Sequence, residues 1–341
     1  MISGIDLFCG AGGLTCGLQR AGINIYAGYD IDPECRAPYE INNQSSFIEK
    51  SIADLSTQEL SSYYQKNDIR LLAGCAPCQP FSKYTQGRPR DDRWGLLYHF
   101  GRLAAELAPE LITMENVPDL VRHDVYSDFI NILDSKNYYI YSKVIYCPDY
   151  GVPQNRSRLV LLASKLGPIS MIKKSHTKNN YQTVRNSIEH LPKLDAGSVN
   201  PADSLHKSAG LTPINLKRIR ASTPGGSWKQ WPDELRLNCH KKESGKGYPS
   251  VYGRMDWDDV SPTITTQSYN LGSGRFGHPA QDRAISLREA ACIQSFPDNY
   301  AFAHQEDSVR LNVIGRMIGN AVPVALAEAI GSSLISHVKQ F

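Results

Sequence analysis

Two thiols stand three residues apart in the run Gly74-Cys75-Ala76-Pro77-Cys78-Gln79-Pro80-Phe81-Ser82. A pair at that spacing can act as nucleophile, redox couple or metal ligand, or can merely fill space as small side chains. Glu115 opens the run Glu115-Asn116-Val117-Pro118, and Gln154-Asn155-Arg156-Ser157-Arg158 puts two guanidiniums on one side of an extended segment. A thiol is a useful nucleophile only as thiolate, which nearby arginines favour. A carboxylic acid can protonate or hydrogen-bond a heteroaromatic ring nitrogen, and arginines can hold a ring carbonyl oxygen. Together these groups suit covalent activation of a pyrimidine: the Cys78 thiolate adds to C6, Glu115 supports N3, and C5 becomes a carbon nucleophile. A redox dithiol predicts a helix starting at Cys75, and Pro80 argues against one. No second C-x-x-C or H-x-x-x-H accompanies the pair, so no metal is expected. Cys75 is left as a small residue at a strand end.

A second constellation points to a nucleoside. Cys9-Gly10-Ala11-Gly12-Gly13 is a tight loop, and Asp30 follows roughly twenty residues later, the spacing of dinucleotide sites. Glycines let a ligand approach the backbone, and an acid at the next strand's tip can bind two ribose hydroxyls. The third glycine of the fingerprint is replaced by Thr15, which disfavours a pyrophosphate and leaves adenosine open. Asp54 could accept from an adenine amino group; a plain surface turn is an equal reading. An electrophilic methyl on a bound adenosyl sulfonium would be the reagent for an activated C5.

The elements that must position these residues read as alternating strands and helices. Strands are expected over Ile2–Phe8, Ile23–Tyr29, Phe47–Ile52, Ile69–Ala73, Glu110–Met114, Tyr138–Cys147 and Arg158–Ala163, with helices over Leu14–Arg20, Trp94–Leu107 and Val125–Leu133. This is an α/β chain whose loops gather Gly10–Gly13, Asp30, Asp54, Cys78, Glu115 and the arginines at one sheet edge. Lys83–Arg93, polar and basic, reads as a mobile lid. Beyond residue 165 the alternation stops and the chain becomes loop-rich. Regular order returns at Ser286, where Ser286-Leu287-Arg288-Glu289 makes a capping box. A last helix is expected from Val324 to about Val338.

Of 341 residues, 41% are hydrophobic and 21% charged, enough for a sizeable core. The net charge of +3 is uneven: residues 165–254 hold 16 Lys/Arg against 6 Asp/Glu, or +10, leaving −7 elsewhere. So basic a block suits a polyanion. The start resembles no signal peptide and no apolar run long enough for a membrane span is apparent, so cytoplasmic location and reduced cysteines are expected.

These blocks together resemble the DNA (cytosine-5)-methyltransferases of bacterial type II restriction–modification systems over nearly the whole chain. The resemblance rests on Asp6–Gly13, Gly74–Ser82, Glu115–Val117, Gln154–Arg158, Arg288–Pro297 and Gly319–Pro323. It implies a Rossmann-like S-adenosylmethionine-dependent fold with a small inserted target-recognition domain. It implies Cys78 as nucleophile, Glu115 as the N3 partner, and Arg156 and Arg158 in the cytosine pocket, with Arg158 on O2. S-adenosylmethionine, leaving as S-adenosylhomocysteine, would be bound by Phe8, Gly10, Gly12, Asp30, Ile31, Asp54, Leu55, Pro77, Asn320 and Val322; Pro77 and Pro80 would also shape the nucleophile loop. Residues 1–165 and 308–341 would be catalytic, 166–285 would recognise DNA, and 286–307 would be a hinge. Cys292 stands where the family usually has Arg, and Asp30 where it often has Glu. Double-stranded DNA is the implied partner, read by loops near Arg254, Gln267 and Arg275, with the target base flipped from the duplex. A monomer is expected, with a cognate restriction endonuclease as a further partner. A tRNA-methylating branch resembles itself by a Cys-Phe-Thr tripeptide, which this chain lacks.

Overall fold

β1 (Ile2–Leu7) is buried at every residue, as a strand covered on both faces must be. After it come α1 (Gly13–Arg20), β2 (Asn24–Asp30), α2 (Arg36–Asn42), β3 (Ser46–Glu49), α3 (Thr57–Ser61), β4 (Ile69–Gly74), α4 (Gly95–Leu107), β5 (Leu111–Asn116), α5 (Asp124–Ser135), β6 (Tyr139–Tyr146) and β7 (Ser157–Ser164). This computed structural model describes residues 1–77, 95–242, 247 and 249–341, so Cys78, Pro80 and the expected lid over Lys83–Arg93 lie outside the described residues. The seven strands form one sheet in the order β3-β2-β1-β4-β5-β7-β6. Six run in one direction, and β7 alone runs against them, antiparallel to its neighbours β5 and β6. Strand order reverses between β1 and β4, the point at which open α/β sheets bind ligands beyond their carboxyl ends.

The helices follow their apolar periodicity. α4 buries Leu97, Phe100, Leu103, Ala104 and Leu107, and Phe100 meets Phe129 of α5 with ring centroids 5.3 Å apart. The last helix, α10 (Val324–Val338), returns to this sheet and packs on α1. Their approach requires Gly17: a Cβ there would lie 2.4 Å from Ala327 Cβ and 2.5 Å from the Val324 carbonyl. Two strand expectations change. β3 stops at Glu49, and Ile52–Asp54 form a 3-10 turn capped by Ser51. β5 runs on to Asn116 because Glu115 and Asn116 pair with Val160 and Leu159, so Glu115 sits on the strand rather than after it.

Two compact units emerge, Met1–Tyr150 with Ser157–Ser175 and Ala321–Phe341, and Gly151–Arg156 with His176–Asn320. The second carries α6 (Val184–Ile188), β8 (Val199–Asn200), β9 (Asp203–Lys207), α7 (Pro213–Arg220), α8 (Leu287–Ile293) and α9 (Leu311–Asn320). It is larger than the recognition domain expected over 166–285. The expected hinge is drawn into it by buried polar contacts. Arg288 pairs with Asp203 at 2.7 Å, and His206 Nδ1 bonds Ser286 Oγ at 2.8 Å. The expected capping box forms at Ser286, and its Glu289 also forks the fully buried Arg283 through two 2.7 Å bonds.

Leu311–Val338 corrects one expectation: it contains an 18-residue window long and apolar enough to cross a membrane. The stretch is broken into α9 and α10 at residues 321–323, and 67% of that window is buried inside the protein. It serves as core.

His278 gives this second unit a pH dependence. Its Nδ1 accepts backbone N–H bonds from Ala280 and Gln281 at 3.1 and 2.9 Å, so a proton there would cost both. Burial, with Arg283, Arg254 and His206 adding to it and Glu289 opposing, pushes its pKa down to about 4. The unfolded chain takes up that proton near pH 6.5. Stability is therefore full above about pH 6.5 and falls as pH drops towards 4, by up to ~1.4 kcal/mol per pH unit. Urea unfolding followed across that range should show the slope, and His278→Gln should flatten it; an unchanged slope in the variant assigns it to other groups.

Candidate active site

The cofactor half is built where β1, β2 and β3 end. Phe8 leaves β1 with φ of 60°, a left-handed conformation that costs a non-glycine residue ~1 kcal/mol. Gly10 and Gly12 continue the turn at φ 52° and 88°, and α1 begins at once. A Cβ on Gly10 would meet nothing within 4 Å, so the loop borders open space. Asp30 is tied to this loop: Oδ2 accepts Gly10 N–H at 2.9 Å and Oδ1 accepts Asp32 N–H at 3.0 Å, with the Ile31 N–H also directed at the carboxylate. Burial raises the Asp30 pKa above the usual carboxylate value despite these bonds. Beside it Ile31 is 67% exposed, an apolar surface at the tip of β2, and Asp54 is exposed on the 3-10 turn after β3. An open glycine cradle, a carboxylate at the strand tip and an adjoining apolar face fit an adenosyl group. Leu55 and Val322 are buried in the same unit.

Thr15, where the fingerprint wants glycine, has a task of its own. Its hydroxyl donates to Asp6 Oδ2 at 2.7 Å beneath the loop and bonds Tyr39 Oη at 3.1 Å. Burial pushes Asp6 up to about 7, against the Thr15 hydrogen bond and helped by Asp30. The substitution of Thr for Gly was the signal for this contact.

The second cluster lies where β4 and β5 end and β7 begins. Glu115 is 3% exposed, and Arg158 Nε stands 2.9 Å from its Oε1. That contact is an ion pair without hydrogen-bond alignment, so Oε1 accepts no hydrogen bond among the described residues. Oε2 accepts the Cys75 thiol at 3.1 Å. Arg158 Nη1 is anchored on the Ser157 carbonyl at 2.8 Å. Asn116 Nδ2 donates to the Ala76 carbonyl at 3.0 Å, holding the start of the nucleophile loop. Pro77 is exposed at the end of the described segment, and Cys78 comes next.

Two expected site residues belong to the second unit. The division falls between Arg156 and Ser157. Arg156 is buried, and its guanidinium donates to the carbonyls of Ile264 and Gly319 and to Gln154 Oε1 at 3.0, 3.4 and 3.4 Å. Gln154, fully buried, also takes Ile264 N–H and donates to Gln294 and the Ile293 carbonyl. The arginine braces this segment rather than standing open like a pocket residue. Asn320 is exposed at the end of α9. Cys292 is buried and donates to Asp298 at 3.5 Å.

Of the three residues that mark the expected DNA-reading loops, Arg254 is held within the second unit. It is 6% exposed and donates to the carbonyls of Ile219, Ser222, His278 and Gln281 and to Asp282. Gln267 is exposed and Arg275 half-buried.

A family model described as C-5 cytosine-specific DNA methylase matches residues 2–336. The type II methylase M.HgiDII of Herpetosiphon aurantiacus is 51% identical over 333 residues, covering 97% of this chain and 94% of that protein. The type II methyltransferase M.Sau96I of Staphylococcus aureus is 29% identical over 98% of this chain and 76% of its own length. A solved Escherichia coli prophage protein, described as a DNA modification methyltransferase, shares the fold with a TM-score of 0.77 at 23% identity, over 99% of this chain and all of that one.

Proposed function

Because the chain belongs to the C-5 cytosine-specific DNA methylase family, whose members use S-adenosylmethionine, we propose that it methylates a flipped cytosine in a short duplex sequence through Cys78, Glu115 and Arg158. The Cys78 thiolate adds to C6 as Glu115 delivers a proton to N3, and the electron pair of the C5–C6 double bond becomes available at C5. S-adenosylmethionine, when bound, supplies the electrophilic methyl group and leaves as S-adenosylhomocysteine. Arg158 donates to the base O2, which accumulates charge as the thiolate adds. Once C5 is methylated, its proton passes to solvent, the C6–S bond breaks to return the thiolate, and Glu115 recovers its proton from N3.

What supports this reading above all is the Glu115 carboxylate: buried, ion-paired to Arg158, and with an oxygen that accepts no hydrogen bond among the described residues. Such an oxygen suits a ring nitrogen that must receive a proton. Phe8, Gly10, Gly12, Asp30, Ile31 and Asp54 would cradle the adenosyl group, with Leu55, Pro77, Val322 and Asn320 as further contacts. Arg156 would act from behind as a brace. The basic stretch 165–254 would bind DNA phosphates, positioning the duplex while loop residues such as Gln267 and Arg275 read base edges. By analogy with the type II relatives, the enzyme would protect DNA in a bacterial cytoplasm against an endonuclease of the same specificity, and would act as a monomer.

Labelled methyl transfer to unmethylated duplex DNA, with tRNA in parallel, tests the substrate, and bisulfite sequencing of the product gives the site. Label in DNA at cytosines of one short sequence is the expected result. Label in tRNA alone would overturn the substrate assignment.

A further inference from the structure

We propose that Cys75 is a positioning residue for Glu115, its thiol holding one carboxyl oxygen so that the other is presented to the base. The inference rests on Glu115 being the N3 partner, and deepens that assignment. The two oxygens of Glu115 have different surroundings. Oε2 accepts the Cys75 S–H at 3.1 Å, whereas Oε1 faces Arg158 Nε at 2.9 Å and accepts no hydrogen bond among the described residues.

The thiol's place is set by backbone on every side. β4 and β5 run parallel in a register that pairs Gly74 with Met114, which brings the next residue of each, Cys75 and Glu115, side by side. Cys75 N–H donates to the Leu7 carbonyl at 3.2 Å. The Ala76 carbonyl after it is held by Asn116. Gly74 before it admits no side chain freely, since a Cβ would lie 3.0 Å from both the Leu7 carbonyl and Phe100. A small, weak donor so fixed can orient a carboxyl plane and still yield when the acid changes protonation. Alanine removes the donor together with the sulfur, whereas serine keeps a donor at nearly the same place.

A donor to a carboxylate favours its ionised form. Single-turnover methyl transfer measured against pH therefore separates this role from packing. Cys75→Ala should slow transfer about threefold to tenfold near neutral pH and move the alkaline limb of the rate profile upward by roughly half a pH unit. Cys75→Ser, which restores a stronger donor, should bring the rate back to within about twofold and move that limb back to or below the wild-type position. Circular dichroism and S-adenosylmethionine binding establish that each variant is folded. A Cys75→Ala profile of unchanged shape, or a serine variant no better than alanine, would overturn the inference. Glu115→Gln assayed alongside distinguishes the two levels: if it retains wild-type transfer, the N3 assignment itself fails, whatever Cys75 does.

Discussion

Cys78→Ala is expected to lower single-turnover methyl transfer by at least about 10³-fold, with S-adenosylmethionine affinity within about twofold of wild type. Carbon 5 of cytosine is a poor nucleophile in the neutral aromatic ring. Without a sulfur adding at C6, no electron pair becomes available there. Serine should be nearly as inactive, because a hydroxyl is far less ionised than a thiol near neutral pH. The cofactor groups at the ends of β1 and β2 stand on other strands from the nucleophile loop, so their binding should survive. Duplex DNA with fluorine in place of the target C5 hydrogen offers a second readout. Fluorine cannot leave as a proton, so the wild-type enzyme should remain joined to the methylated base through sulfur and resist denaturation. An adduct formed equally well by Cys78→Ala would remove Cys78 from the mechanism.

The second large effect is at Glu115. Glu115→Gln keeps the shape of the side chain and removes the proton that the proposed mechanism delivers to N3. A loss in kcat of about 10²–10⁴-fold is expected, or roughly 3–5 kcal/mol of transition-state stabilisation. The substitution also takes the carboxylate from Arg158, whose side chain is only 14% exposed. Unfolding stability should therefore fall by about 1–3 kcal/mol. The two effects are separable, because thermal unfolding reports the second and rapid-quench kinetics at a temperature where the variant is fully folded reports the first. A kcat within tenfold of wild type would mean that N3 is protonated by another group.

Much of this was legible in the chain before any coordinates. Each buried strand announced itself as a short apolar run. The glycine loop and Asp30 were marked by spacing, because a turn that brings ligand to backbone is a local structure with local sequence requirements. The cap at Ser286 was legible for the same reason. Where expectation and structure part, the cause is a contact between residues distant in sequence. Nothing in the spacing around Arg254 shows that four carbonyls, from Ile219, Ser222, His278 and Gln281, surround it. Arg156 and Arg158 are two residues apart on an extended segment, and neither composition nor spacing tells one from the other. Arg156 ends on carbonyls contributed by residues 264 and 319, and Arg158 on Glu115.

By itself the sequence determined the kinds of chemistry available: a thiol after a strand, a carboxylate near the end of another, guanidiniums, and a glycine loop with its acid. These depend on residue type and short-range spacing. Tertiary structure alone decided which of these groups meet. The register of β4 against β5 puts Cys75 beside Glu115, and that of β7 against β5 brings in Arg158. Strand register is set by the whole buried sheet and not by the residues at its end, so a slip of one position would have turned the same side chains to opposite faces.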